Sequence, residues 1–283
     1  MSWLFGKWHT RRIQNEKVLS IAGSDCSGGA GIQADLKTFS ALGVFGMSVI
    51  VSVVAENTCR VLAIEDISPA MIRRQLDAVF EDITPDAVKI GMLSTPACMQ
   101  AVSEKLLVYQ PKNVVIDPVM TAKNGCPLMN AESVKPLLTE VVPLADVVTP
   151  NIPEAEIMTG MKIHSLSDMA EAAKRIMALG CRSVVIKGGH ANGDAVDLMY
   201  DGKQFYPFKA KRINTKNTHG TGCTFSSAIA AQLAKDKELI DAVSDAKAYV
   251  TTAIEHSLNI GKGNGPTHHF YDLYRGKVTY DED

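Results

Sequence analysis

The chain has 283 residues, of which 46% are apolar, 21% charged and 6% aromatic, with a formal net charge of −2. That length and composition suit one large globular α/β domain or two small ones, and the near-zero charge excludes a global field for nucleic acid or an anionic membrane. No apolar stretch reaches the ~18 residues of a membrane-spanning helix. The six cysteines (Cys26, Cys59, Cys98, Cys126, Cys181 and Cys223) lie far apart with no C-x-x-C spacing. They point to reduced thiols in a cytoplasmic protein rather than to a disulfide frame or a zinc site.

Residues 1–16 mix Trp3, Leu4, Phe5 and Trp8 with Lys7, Arg11 and Arg12. The apolar run is too short for a signal peptide and precedes the charges, so an N-terminal extension is expected. Val18 to Gly23 is a short apolar run ending in glycine, a buried strand. The loop Ser24 to Gly31 then leads to a helix over Ile32–Leu42. Two readings compete here. Gly29-Ala30-Gly31-Ile32-Gln33-Ala34 matches the G-x-G-x-x-A dinucleotide fingerprint, and Glu56 closes the next strand 25 residues after Gly31. Against it, five residues separate Gly23 from Gly29, whereas the fingerprint's turn follows its strand directly. Asp35 is expected in the first turn of that helix, where the dipole favours an acid.

Gly46 to Ala55 is a second buried strand, and it delivers Glu56-Asn57-Thr58 to a loop. Pro69–Ile83 is an amphipathic helix with Ile72, Leu76, Val79 and Phe80 on one face. Asp86 to Leu93 is a strand and turn containing Gly91 and Met92. Asn113 to Met120 is a strand whose acid, Asp117, sits at its C-terminal end. Ligands of open α/β sheets collect outside those ends, so Asp117 is a candidate for a Mg²⁺-phosphate region. Thr121 to Pro127 is expected to be a mobile loop. Val147 to Glu156 repeats the strand–turn–helix logic. Asn151 and Glu154 fall three apart on one face at a helix start, the spacing of a capping box.

Ser167–Leu179 is another amphipathic helix. Ser183 to His190 is a strand that delivers Lys187 to a glycine-rich turn, where a lysine neutralises phosphate as a point charge. Ala195–Tyr200 and Gly202–Phe208 alternate like a hairpin with Asp201-Gly202 at the turn. In Asn214 to Ala231, Gly220 and Gly222 bracket Thr221, and small and apolar residues follow at helical spacing. The junction is a helix N-terminus and hence an anion site. Cys223 lies inside it, where the dipole favours the thiolate. The alternation of strands and helices predicts an α/β fold, a three-layer α/β/α sandwich around a mostly parallel sheet, in one domain spanning 17–274. Residues 275–283 are expected to be an acidic, solvated tail.

Two segments carry a family resemblance: Gly23-Ser24-Asp25-Cys26-Ser27-Gly28-Gly29-Ala30-Gly31-Ile32-Gln33-Ala34-Asp35-Leu36-Lys37-Thr38 and Thr218-His219-Gly220-Thr221-Gly222-Cys223-Thr224. They resemble the opening and late signatures of the hydroxymethylpyrimidine/phosphomethylpyrimidine kinases of thiamine biosynthesis. These belong to the ribokinase-like superfamily, close to the Cys-type pyridoxal kinases. The resemblance implies ATP and Mg²⁺ as cofactors, a small ring alcohol as partner substrate, and a homodimer. It implies that Gly220, Thr221, Gly222 and Cys223 form the catalytic turn, most of the superfamily having Asp where Cys223 stands. By the same resemblance Asp35 faces the substrate's hydroxymethyl group, and Gly23, Gly91, Met92 and Val119 border its ring. Relatives usually have Gln where Glu56 stands, pairing with the pyrimidine edge. Lys187, Asn151, Thr218, His219, Gly263 and Gly265 are implied at the nucleotide, the last two in a Gly-x-Gly-Pro loop. Asp117 and Glu154 are implied at the metal.

The function so implied is ATP-dependent phosphorylation of hydroxymethylpyrimidine or its monophosphate. Pyridoxal or pyridoxine kinase is the alternative within the class. An NAD-type oxidoreductase and a non-catalytic ligand-binding regulator are the alternatives outside it. Two roles are open to Cys223: a thiolate base, or a neutral thiol completing the anion cradle.

Overall fold

Short Val- and Ile-rich runs form the centre of the molecule. The computed structural model describes residues 16–121, 125, 128–189 and 195–275. Their strands are β1 (Lys17–Asp25), β2 (Phe45–Glu56), β3 (Val61–Asp66), β4 (Ala87–Ile90), β5 (Val114–Ile116), β6 (Val147–Val148), β7 (Val184–Ile186), β8 (Ala195–Tyr200) and β9 (Phe205–Ala210). They make one sheet of order β3-β2-β1-β4-β5-β6-β7-β8-β9. The six strands from β2 to β7 run parallel, and β3, β8 and β9 are antiparallel additions at the two edges.

The helices are α1 (Gly31–Ala41), α2 (Pro69–Phe80), α3 (Pro96–Tyr109), α4 (Ala131–Pro136), α5 (Ile152–Thr159), α6 (Leu166–Met177), α7 (Thr221–Ala234), α8 (Leu239–Glu255) and α9 (Tyr271–Tyr274). Successive strand residues serve opposite faces of the sheet. Val18, Val115, Val147 and Val185 pack under Phe39 of α1, Phe225 and Ile229 of α7, and Val243 of α8. Leu19, Ile116, Val148 and Ile186 pack on the other side, with Ile72 and Leu76 of α2, Val102 of α3 and Ile176 of α6. This is the three-layer sandwich that strand–helix alternation predicts. Strand β1 has β2 on one side and β4 on the other. The connections therefore diverge at β1, and the C-terminal ends of the parallel strands open into a crevice.

Several boundaries differ from expectation. β3 extends what reads as a loop after Glu56. Asn57 turns the chain: its Oδ1 accepts from the amides of Cys59 and Arg60, at 2.9 and 3.0 Å. The hairpin β8–β9 forms as expected, its second strand starting at Phe205. α6 starts one residue early because Ser165 and Asp168 form a capping box. α7 starts at Thr221, so Cys223 lies within its first turn.

The expected extension 1–16 (apart from Glu16), the tail 275–283 (apart from Arg275), Cys126, His190 and most of the loop Thr121–Pro127 lie outside the described residues. The five described cysteines are free thiols. No helix among the described residues is long and apolar enough to cross a membrane.

Candidate active site

A cleft of about 570 Å³ opens at the C-terminal ends of the parallel strands. It is lined by Gly23 and Ser24 at the C-terminal end of β1, Glu56 of β2, Lys89 and Met92 at β4, Asp117 and Val119 after β5, Asn151 and Glu154 after β6, and Lys187 after β7. Thr218 to Cys223, at the start of α7, close its floor. Beyond β9, Ile213 joins Val250 and Ile254 of α8 as an apolar wall.

The loop after β1 is organised by Asp25. Its buried carboxylate accepts from Ser27 N (2.8 Å), Ser27 Oγ (2.7 Å), Gly29 N (3.0 Å), Ala30 N (2.7 Å) and His219 Nε2 (2.8 Å). Burial pushes its pKa up, but these hydrogen bonds and the His219 charge outweigh it and hold it well below the usual carboxylate range. The network also removes the dinucleotide reading. In that fingerprint the loop amides meet a pyrophosphate; here Gly29 and Ala30 donate to the chain's own carboxylate.

His219 carries that network to the second glycine turn. Gly220 caps α7 with φ +77°, and a β-carbon there would overlap the carbonyl oxygen of Gly29. Only glycine fits both demands. Thr221 Oγ1 donates to Thr218 O at 2.8 Å, which tightens the turn. A β-carbon on Gly222 would lie 3.3 Å from Asp117 Oδ2 and 3.4 Å from Lys187 Nζ. The first turn of α7 thus rests against a partly buried ion pair, Lys187 Nζ to Asp117 Oδ1 at 2.6 Å.

A second buried pair lies on the β4 side. Lys89 Nζ donates to both oxygens of Asp35 at 2.9 Å, and both side chains have no solvent exposure. Ser20 Oγ and Ser227 Oγ donate to the same carboxylate at 2.6 and 2.7 Å. Cys223 faces the charges of both pairs. Burial pushes its thiol up to about 11, Lys89 and the Gly31 N–H pulling down and Asp35 and Asp117 pushing up. The helix dipole alone suggests a lowered value; desolvation and two nearby carboxylates reverse that.

Asn151 and Glu154 form the capping box: Glu154 N donates to Asn151 Oδ1 at 2.9 Å and Asn151 N to Glu154 Oε2 at 2.8 Å. Burial and then the Asp117 charge push the Glu154 carboxyl up to about 7 against the pull of Lys187. Glu56 is likewise pushed up to about 7 by burial and by Asp25. One carboxylate oxygen each from Asp25 and Glu56 and a ring nitrogen of His219 lie within 4.8 Å of one another. Asp25 already accepts five donors, one of them His219, so this triangle is a closed hydrogen-bond network rather than a ligand set.

Of the expected site residues, the structure brings Gly23, Glu56, Met92, Asp117, Val119, Asn151, Glu154, Lys187 and Thr218 to Cys223 to the cleft. Four stand elsewhere. Asp35 lies one layer behind the cleft wall, because it is on the buried face of α1 and Lys89 covers it. Gly91 packs behind the Lys89 ammonium, 2.8 Å from where its β-carbon would be. Gly263 and Gly265 are glycine because Thr58 O and Leu258 O would overlap a side chain. Their amides go to Thr58 Oγ1 (3.1 Å) and Asn217 Oδ1 (3.0 Å), so that loop braces the β2–β3 turn and the approach to α7. Asp25 and Lys89 are the residues that sequence reasoning missed. Asp25 stands inside the opening signature and Lys89 in a Val-Lys-Ile strand, where a lone buried cation is an alarm in itself.

Comparison with known proteins agrees with this geometry. Residues 25–268 match the phosphomethylpyrimidine kinase family. The hydroxymethylpyrimidine/phosphomethylpyrimidine kinase of Rhizobium meliloti is 52% identical over 262 residues, 91% of this chain and 98% of that protein. That of Bacillus subtilis is 48% identical over 256 residues, 90% and 94% of the two chains. The thiamine biosynthesis bifunctional protein ThiED of Geobacter sulfurreducens is 50% identical over 253 residues; the match takes in 89% of this chain and 52%, about half, of that longer protein. The Bacillus subtilis pyridoxal kinase in its ADP complex superposes with a TM-score of 0.84 at 42% identity, covering 90% of this chain and 98% of that one. The nine-stranded α/β/α sandwich is thus the ribokinase-like fold of these vitamin kinases, and the chain belongs to the phosphomethylpyrimidine kinase family.

Proposed function

We propose that this protein is an ATP-dependent kinase that phosphorylates the hydroxymethyl group of 4-amino-5-hydroxymethyl-2-methylpyrimidine, or its monophosphate, in thiamine biosynthesis. The observation that carries the reading is the start of α7, Gly220 to Cys223, resting against the partly buried Lys187–Asp117 pair at the floor of the cleft. Phosphoryl transfer needs positioning and charge stabilisation above all. The amides and dipole of the first turn of α7 favour the transferring phosphate. Lys187 supplies counter-charge. Ile213, Val250 and Ile254 offer an apolar slot for the nucleotide base. Glu56, Met92 and Val119, on the other side of the cleft, receive the pyrimidine.

The donor set at Asp117 and Glu154 suits Mg²⁺: both offer oxygen, both are buried, and a divalent cation would favour the ionised Glu154 carboxylate that burial and the Asp117 charge disfavour. Bound there, Mg²⁺ would neutralise charge on the ATP phosphates. Cys223 takes the hydroxyl proton as the alcohol oxygen attacks the γ-phosphorus. It does so as the thiolate: the thiol, at about 11 with the neighbouring positive charge already included, first gives up its own proton to solvent, and the minor thiolate fraction then takes the alcohol proton.

Pyridoxal kinase activity is a second reading, favoured by the likeness to the pyridoxal kinase structures and by Glu56 in place of the usual Gln. Incubating the purified protein with ATP and Mg²⁺ and each of hydroxymethylpyrimidine, its monophosphate and pyridoxal separates the two. Phosphorylated pyrimidine as the main product supports the first reading; turnover of pyridoxal alone supports the second. A cytoplasmic homodimer is the expected setting, and sedimentation of the purified chain tests the dimer.

A further inference from the structure

Lys89 is a fully buried cation in the wall of the cleft, and nothing in the mechanism above uses it. We propose that Lys89 is a catalytic residue of the transfer: braced by Asp35, its ammonium holds the substrate's alcohol oxygen as negative charge develops there. The proposal rests on the kinase reading.

The geometry is that of a braced charge. Asp35 takes both of its hydrogen bonds from Lys89 and two more from Ser20 of β1 and Ser227 of α7. Ser227 lies one turn beyond Cys223 on the same helix face, so the pair is anchored next to the thiol. Three N–H groups leave an ammonium, and Asp35 takes two. Lys89 lines the cleft without solvent-exposed surface, so the third meets an alcohol oxygen only when substrate packs directly against it. Gly91 keeps space around the ammonium, since a β-carbon there would approach Nζ to 2.8 Å. As a stability device the pair is poorly explained, because apolar residues of similar volume usually serve a core as well or better than a buried ion pair.

The charges facing Cys223 sort into two pairs: Lys89–Asp35 from β4 and α1, and Lys187–Asp117 from β7 and after β5. Lys187, beside Glu154 and Gly222, serves the phosphate. Lys89, beside Gly91 and paired with Ser20 of β1, serves the alcohol. In the step, the alcohol oxygen forms a bond to the γ-phosphorus while the γ-phosphorus–oxygen bond to ADP breaks. The alcohol proton passes to the Cys223 thiolate, and Lys89 stays protonated throughout. Its pKa is held above the usual lysine value because Asp35, with Cys223 and Asp117, outweighs the burial that would lower it.

The test uses two variants of the full chain, Lys89→Met and the charge-neutral double Asp35→Asn/Lys89→Met, the second avoiding an unpaired buried carboxylate. Turnover of the pyrimidine alcohol and binding of a non-hydrolysable ATP analogue are measured on both, with circular dichroism to confirm folding. The expected result is a folded double variant whose kcat falls by ~10²-fold or more, as for loss of an oxyanion donor. Its affinity for the analogue should stay within about threefold of the parent. A folded double variant with kcat within about threefold of the parent overturns the proposal. So does failure of both variants to fold, which assigns the pair to the core. An inactive parent would instead refute the kinase reading.

Discussion

Asp25 and His219 stand 194 positions apart in the chain and meet through a buried 2.8 Å hydrogen bond behind the part of the cleft wall that His219 lines. The bond joins the loop after β1 to the turn before α7, the two glycine-rich segments on which the site is built. Asp25→Asn should therefore cost ~1–3 kcal/mol, the usual penalty for disrupting a buried, charge-assisted network. The sign with pH follows from the lowered Asp25 pKa. Its stabilisation is present above the ordinary aspartate range and is lost as pH falls through the folded-state value. Parent and variant should differ most near neutrality and converge in acid. Denaturant melts across that range check this, and a difference that grows in acid would contradict it.

Gly220 should tolerate no side chain. Its φ of +77° and the carbonyl of Gly29 both exclude a β-carbon. Gly220→Ala should destabilise by more than ~1 kcal/mol, beyond the ordinary cost of a glycine at positive φ, because backbone must also move. Any folded fraction should show reduced kcat, since the start of α7 shifts with it. Calorimetry with steady-state kinetics reads both effects.

Much of this arrangement is legible in the sequence. The Val/Ile runs, the caps at Asn151 and Gly220 and the two glycine signatures mark where strands end and helices begin, because those signals are local. The rest depends on contacts between distant segments. Asp35 reads as a substrate ligand from its place in a signature, but whether Lys89 stands in front of it depends on how α1 packs on β4. Gly263 and Gly265 read as nucleotide glycines; that the approach of Thr58 and Leu258 also demands glycine there shows only in the packing. The Cys223 thiol reads as activated from the helix start alone; two carboxylates from other strands and burial reverse the direction. β3 escapes notice because its residues are mostly exposed and carry no alternating pattern of burial.

Glu56 should make ring recognition depend on pH near neutrality. Burial and the Asp25 charge push its carboxyl up to about 7, so it loses its proton within the working range. The folded state favours the protonated form. The corresponding stability is present below the ordinary glutamate range and is lost as pH rises through about 7. Glu56→Gln should flatten the pH dependence of KM for the ring substrate near neutrality and shift preference among ring alcohols. Parallel KM profiles for parent and variant would remove Glu56 from the substrate's surroundings.

Lys187 and Glu154 should separate by what they affect. Lys187→Met removes the counter-charge of Asp117 and should raise KM for ATP by ~10-fold or more, the scale of one lost charge-assisted bond. Glu154→Gln should instead shift the Mg²⁺ concentration needed for half-maximal rate. Titrating ATP and Mg²⁺ independently for each variant distinguishes them, and an unchanged Mg²⁺ requirement in Glu154→Gln counts against the metal role.

The account centres on Cys223 as the base at the start of α7, and the most direct measurement is the turnover of Cys223→Ala with ATP and hydroxymethylpyrimidine. General-base help is worth ~10²–10⁴-fold, so kcat should fall by at least ~10²-fold with only a modest change in KM for ATP. Cys223→Asp should retain more activity than the Ala form. Near-parental turnover in a folded Cys223→Ala would contradict the account and leave the backbone turn Gly220–Gly222 as the functional part of this junction.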